Sequence, residues 1–72
     1  MQSTAVVNVT VNGLPRDLPA GLSVGGLLLE LGLQPGLVVV EHNREILERS
    51  RVGDVAVRDG DVFEIVHFVG GG

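Results

Sequence analysis

Seventy-two residues without a cysteine leave room for one small domain held by packing alone: disulfides and thiolate metal sites are excluded, and the 44% of hydrophobic residues must supply the core. A formal net charge of −4 and only two aromatic residues provide neither the phosphate-neutralising nor the base-stacking groups that nucleic acid requires. The opening MQSTAVVNVTVNG has no basic leader region, and no apolar run reaches the length of a membrane span, so a soluble cytoplasmic protein with no nucleic-acid and no membrane partner is expected.

Val7, Val9 and Val11 alternate with Asn8, Thr10 and Asn12, the period of a half-buried strand. Asn12-Gly13 follows at once as a hairpin signal, and LPRDLP returns as a second strand. Pro15 and Pro19 confine that strand to an edge, where a missing N–H leaves no ladder bond unmade. The period then changes. Ser23 is a suitable N-cap, Val24, Leu27, Leu28 and Leu31 form one apolar helical face, and Gly32 is a natural stop. Gly25 and Gly26 conflict with helix propensity; close approach of the first turn to the sheet would account for them, as would a frayed turn.

A third strand is expected through Val38, Val39 and Val40, a turn at Asn43-Arg44, and a short fourth strand near Ile46-Leu47. RVGDVAVRDGD reads as loop with a turn at Asp59-Gly60. VFEIVHFV is the last strand, with Phe63 and Ile65 facing inward because Glu64 between them favours water, and with Val62, Val66 and Phe68 on the other face. One helix covers only one face of a sheet. The last strand, the most continuously apolar, is expected centrally, beside the first and parallel to it. The expected fold is therefore α+β: a single domain over residues 1–72, with a mixed four- to five-stranded sheet, one main helix on one face and the ubiquitin-like β-grasp topology.

The chain reads Gly70-Gly71-Gly72 straight after this strand, and residues 70–72 are expected to form a flexible tail. A chain end offers an α-carboxylate, a poor electrophile until activated, for instance as an acyl-adenylate. Glycines before it let the segment thread a narrow channel in a partner's ATP site. Gly72 is then the reacting residue, and Gly71 and Gly70 provide access. Val62, Val66, Phe68 and Val69 would form an apolar docking patch beside the tail, and His67 borders it as a possible partner contact or a solvated strand residue. Glu41, His42 and Glu64 match no metal-ligand spacing, so no metal site is expected. No Ser/His/Asp or Cys/His set is visible, so no catalytic residue is assigned and independent enzyme activity is not expected.

The stretches VNGLPRDLP, SVGGLLLELGL, VVVEHNREILERS and VRDGDVFEIVHFVGGG resemble the sulfur carrier proteins of thiamin biosynthesis, the ThiS family. The resemblance covers nearly the whole chain after about residue 6, leaving residues 1–5 as a loose extension. It implies a carrier without a bound cofactor. A partner adenylyltransferase related to ubiquitin-activating enzymes uses ATP to adenylate the carboxylate of Gly72, with Gly71 as its required neighbour. Sulfur from a donor such as a cysteine desulfurase, passed through a persulfide, replaces AMP and leaves a thiocarboxylate, which thiazole synthase consumes. The small subunit of molybdopterin synthase is the alternative within this chemistry. That family usually runs longer and often has a proline-containing segment before its glycines, which VHFVGGG lacks. A non-covalent β-grasp interaction module, binding through its sheet or an edge strand, is the alternative outside it.

Overall fold

The computed structural model describes residues 5–68. The expectations placed on Val69, Gly70, Gly71 and Gly72, and those on residues 1–4, lie outside the described residues. Five strands and one α-helix run in the order β1 (Val6–Val11), β2 (Leu14–Pro19), α1 (Val24–Glu30), β3 (Val38–His42), β4 (Glu45–Leu47) and β5 (Val62–His67). Two short 3₁₀ turns, Pro35–Leu37 and Arg49–Arg51, lie in the connections. The sheet order is β2-β1-β5-β3-β4, with β1 and β5 parallel and every other neighbouring pair antiparallel. The mixed β-grasp topology and the central place of the last strand are as the apolar patterning predicts, and the proline-bearing β2 is an edge.

Local chemistry sets each junction. Asn12 (φ 50°) and Gly13 (φ 82°) both take the left-handed conformation that a two-residue hairpin with matching twist requires. Ala20 N–H donates to the Ala5 carbonyl at 3.0 Å, so the hairpin continues one residue into the segment expected to be a loose extension. The Ser23 hydroxyl accepts from Gly26 N–H at 3.0 Å and caps α1. At the other end Gly32 (φ 74°) allows a Schellman closure: Leu33 N–H donates to the Leu28 carbonyl at 2.8 Å, and Gly32 N–H to that of Leu29 at 3.0 Å.

The first turn at Gly25-Gly26 is neither frayed nor packed on the sheet. Gly25 N–H donates to the Val52 carbonyl at 2.8 Å and Val24 N–H to that of Val55 at 2.8 Å, so the first turn has its free donors satisfied and is not frayed. A Cβ at Gly25 would lie 3.5 Å from the Val52 carbonyl oxygen and 3.7 Å from Gly53 Cα; one at Gly26 would lie 3.1 Å from Leu22 Cδ2. Only the approach of Gly26 to the Leu22 side chain is tight; at Gly25 the distances to the loop before β5 are ordinary van der Waals contacts, and neither neighbour is the sheet.

Val24, Leu27 and Leu28 are fully buried against Val9, Val11, Leu18, Val38, Val40, Val57, Phe63 and Ile65. Leu31, the fourth member of the expected helix face, packs at the border of this core and is only partly buried. The loop Val52–Val57 closes the remaining side through a bridge between Ser23 and Ala56. Among the described residues no helix is long and apolar enough to cross a membrane.

Candidate functional site

The site is organised by β5, because this strand leads into the glycines. It is held on both edges by side-chain amides that imitate a strand. β1 ends at Val11, and beyond it the Asn12 side chain takes the next ladder position: its Oδ1 accepts from Ile65 N–H at 2.7 Å, and its Nδ2 donates to the Ile65 carbonyl at 3.2 Å. On the β3 side, Asn43 Oδ1 accepts from Val62 N–H at 2.9 Å while Asn43 N–H donates to the Val62 carbonyl at 2.8 Å. Asn43 (φ 50°) and Arg44 (φ 73°) form the expected turn between β3 and β4, so both hairpin asparagines serve the turn and β5 together.

A buried carboxylate fixes the start of the strand. Asp61, 8% exposed, accepts from Arg58 N–H at 2.9 Å, from His42 Nε2 at 3.0 Å and from Asn43 Nδ2 at 3.1 Å. Burial alone would raise its pKa, but the Arg58 amide, His42 and Asn43 together hold it below the ordinary 3.8. The His42 ring also stacks on Phe63 with centroids 5.0 Å apart. Each residue of Asp59-Gly60-Asp61 thus has an anchoring bond: Asp59 accepts from Asn8 N–H and Gly60 N–H donates to the Asn8 carbonyl, both at 2.8 Å.

A folded-state pKa below the unfolded value means that Asp61 contributes stability above about pH 4, and that this is lost as pH falls through the lower folded value. Asp61→Asn is expected to destabilise the fold by about 1–3 kcal/mol at pH 7. Urea midpoints measured from pH 7 to pH 2.5 should decline less steeply for the variant than for the wild-type chain.

The outer face of the sheet, away from α1, carries the expected patch. Val62, Val66 and Phe68 are 42%, 61% and 48% exposed. Val39 lies directly across from Val66, and Ile46, 73% exposed, is across from Glu41 on the same face. Val39 and Ile46 are additions to the patch expected from β5 alone. The three consecutive valines 38–40 carry the signal for Val39, since an uninterrupted apolar strand presents apolar groups to both faces. Glu41 and Glu64 stand opposite each other in the register between these apolar residues, a like-charge pair that a basic group would relieve.

His67 shares the alternation of Phe63 and Ile65, so it belongs to the helix-side face and borders a cleft of about 250 Å³ there. The structure therefore brings Val62, Val66 and Phe68 together and separates His67 from them. It also separates His42, on the helix side with Asp61, from Glu41 and Glu64 on the outer face, so these three do not converge on one metal position.

Residues 9–72 match the ThiS family model. The sulfur carrier protein ThiS of Bacillus subtilis (strain 168) is 46% identical over 50 residues, which cover 69% of this chain and 76% of that protein. Two proteins named thiazole synthase match over 66 residues, 92% of this chain: that of Paramagnetospirillum magneticum at 46% identity and that of Magnetococcus marinus at 39%. The chain spans 20% of the length of each of them. The crystal structure of the thiamine biosynthesis protein (ThiS) from Geobacter metallireducens superposes with a TM-score of 0.76 at 43% identity, covering 92% of this chain and all of that one. With matching sequence, topology and a central strand that leads into the terminal glycines, the chain belongs to the ThiS family.

Proposed function

We propose that this protein is a sulfur carrier for formation of the thiamin thiazole, and that the carboxylate of Gly72 is its working group. The observation that carries the reading is the family match running through Gly72, on a fold whose central strand delivers that segment. The carboxylate attacks the α-phosphorus of ATP on a partner adenylyltransferase, and pyrophosphate leaves. The outer sulfur of a persulfide, formed on a donor such as a cysteine desulfurase, then displaces AMP from the acyl carbon and gives an acyl disulfide. A second thiol attacks the donor's sulfur in that disulfide and leaves as a disulfide with the donor, so a thiocarboxylate remains for thiazole synthase. Adenylation makes the carbonyl reactive, and tethering to a folded handle holds a reactive sulfur at high local concentration. ATP and catalytic groups belong to the partners, and the chain contributes a substrate end and a recognition surface.

Two relatives bear the name thiazole synthase and are about five times the length of this chain, which supports thiazole synthase as the sulfur acceptor. The outer face supplies the docking surface. Its apolar residues surround the Glu41–Glu64 pair, and such a face fits a partner with a basic side chain set in apolar surroundings. Val66→Asp is expected to raise the KM of the chain as a substrate for adenylation about tenfold, read by ATP–pyrophosphate exchange, with the thermal midpoint within about 4 °C of wild type because Val66 is largely exposed.

Deletion of the gene tests the assignment of the pathway. Growth is expected to require thiamin and to be restored by the thiazole moiety. A molybdenum-enzyme defect with no thiamin requirement would move the protein to the other sulfur-transfer pathway.

A further inference from the structure

Among the described residues, the edge of β5 on the β1 side is open where the strand gives way to the terminal segment. Phe68 N–H donates to the Leu37 carbonyl at 2.8 Å and Asn43 N–H to that of Val62, so the backbone groups of Val62, Glu64, Val66 and Phe68 face β3. Those of Phe63, Ile65 and His67 therefore face the other way. The Phe63 carbonyl accepts from Asn12 N–H at 2.9 Å, and the Asn12 side chain satisfies Ile65. His67 is the next position, but β1 has ended at Val11 and the chain has turned away into β2. No described strand stands beside the His67 N–H and carbonyl.

The space beside them is shaped for a side chain. The cleft of about 250 Å³ has Val11, Ile65, Leu31 and Leu33 in its lining, with His67 and Arg16 also on it. Arg16 makes no ion pair among the described residues, and it stands on a chain of net charge −4. The other four arginines lie between Arg44 and Arg58, in the β3–β4 turn and the loop before β5.

We propose that the adenylyltransferase that activates the tail adds an extended segment to this open edge. In that arrangement a partner carbonyl accepts from His67 N–H, a partner N–H donates to the His67 carbonyl, an apolar partner side chain enters the cleft and a partner carboxylate meets Arg16. The position is the one β1 vacates, and main-chain bonds there fix the direction in which the terminal segment leaves the domain. A basic group of the partner suits the Glu41–Glu64 face and an acidic one suits Arg16, so the two surfaces set the orientation of docking by opposite charges. The inference rests on the carrier reading above.

Amide hydrogen exchange on the uniformly ¹⁵N-labelled full chain, alone and with the cognate adenylyltransferase, tests it. In the free chain Val66 is expected to be protected by its ladder bond and His67 to exchange freely. In the complex His67 should gain at least about tenfold protection. His67→Pro removes the donor and should raise KM for the chain in pyrophosphate exchange about three- to tenfold at unchanged kcat, while Arg16→Glu should raise it about tenfold. Should the proline variant fail to fold, the wild-type exchange measurement and Arg16→Glu still decide. Unchanged His67 exchange in a saturated complex would overturn the proposal, as would concentration-dependent protection in the chain alone, which would make a second copy the occupant. If the wild-type chain forms a thiocarboxylate but shows no His67 protection, this inference fails and the carrier reading stands. If no adenylate forms at all, the carrier reading fails first.

Discussion

Replacing Gly71 with valine is expected to lower adenylate formation on this chain by at least about a hundredfold while leaving the thermal midpoint within about 4 °C of wild type. The two halves of that result have separate causes. The residues forming the core run from Val9 to Ile65, so a change at position 71 alters none of them. Adenylation, in contrast, on the carrier reading requires the terminal carboxylate to reach the α-phosphorus of ATP inside the partner. A β-branched side chain one residue from the reacting carbon restricts the backbone angles and widens the segment that must enter. A misplacement of about 1 Å is enough for a hundredfold loss. Pyrophosphate exchange with the variant and circular dichroism melting of the same sample separate the effects. Wild-type rates with Gly71→Val would mean that side chains at this position are tolerated, and the access role assigned to Gly71 and Gly70 would be abandoned.

The second large effect lies in the core. Phe63→Ala is expected to destabilise the protein by about 3–5 kcal/mol. For a chain of this length total stability is about 4–11 kcal/mol, so a large part of it is lost. Phe63 is fully buried, packs among the valines and leucines of the sheet and helix, and stacks on His42. Its removal leaves a cavity beside His42, the ring that bonds Asp61, the only buried carboxylate among the described residues. Phe68→Ala is the internal comparison. Phe68 is 48% exposed, so its loss should change the urea midpoint little and act on partner binding instead. Equal destabilisation by the two substitutions would contradict the assignment of faces along β5.

That assignment is legible in VFEIVHFV, because Glu64 between Phe63 and Ile65 identifies the wet side of the strand. The hairpin at Asn12-Gly13, the cap at Ser23 and the stop at Gly32 are equally legible, since each depends on the backbone preferences of the residues at the turn itself. The features that escape the sequence depend on partners distant in the chain. Asn12 reads as a turn residue, yet its side chain binds Ile65, 53 positions away. Asp61 reads as the end of a turn, and its burial among Arg58, His42 and Asn43 follows only from the pairing of β3 with β5. The Gly25-Gly26 pair announces a close approach but not that the Leu22 side chain, against Gly26, is the group that makes it. His67 lies on the last strand as expected, and the alternation that puts Phe63 inward also puts it on the helix side, away from the apolar patch.

On the carrier reading the scaffold performs no chemistry. Asn12, Asn43 and Asp61 hold β5 at three points, so the segment after the strand is presented from a fixed origin. Function then depends on one covalent change at one atom. The direct measurement is the mass of the intact chain and of its C-terminal peptide after incubation with the adenylyltransferase, ATP and a sulfur donor. The expected result is the mass difference of sulfur for oxygen, located on Gly72 and absent when ATP is withheld. An unmodified Gly72 under conditions that sustain thiazole formation, or sulfur attached to any other residue, would contradict it.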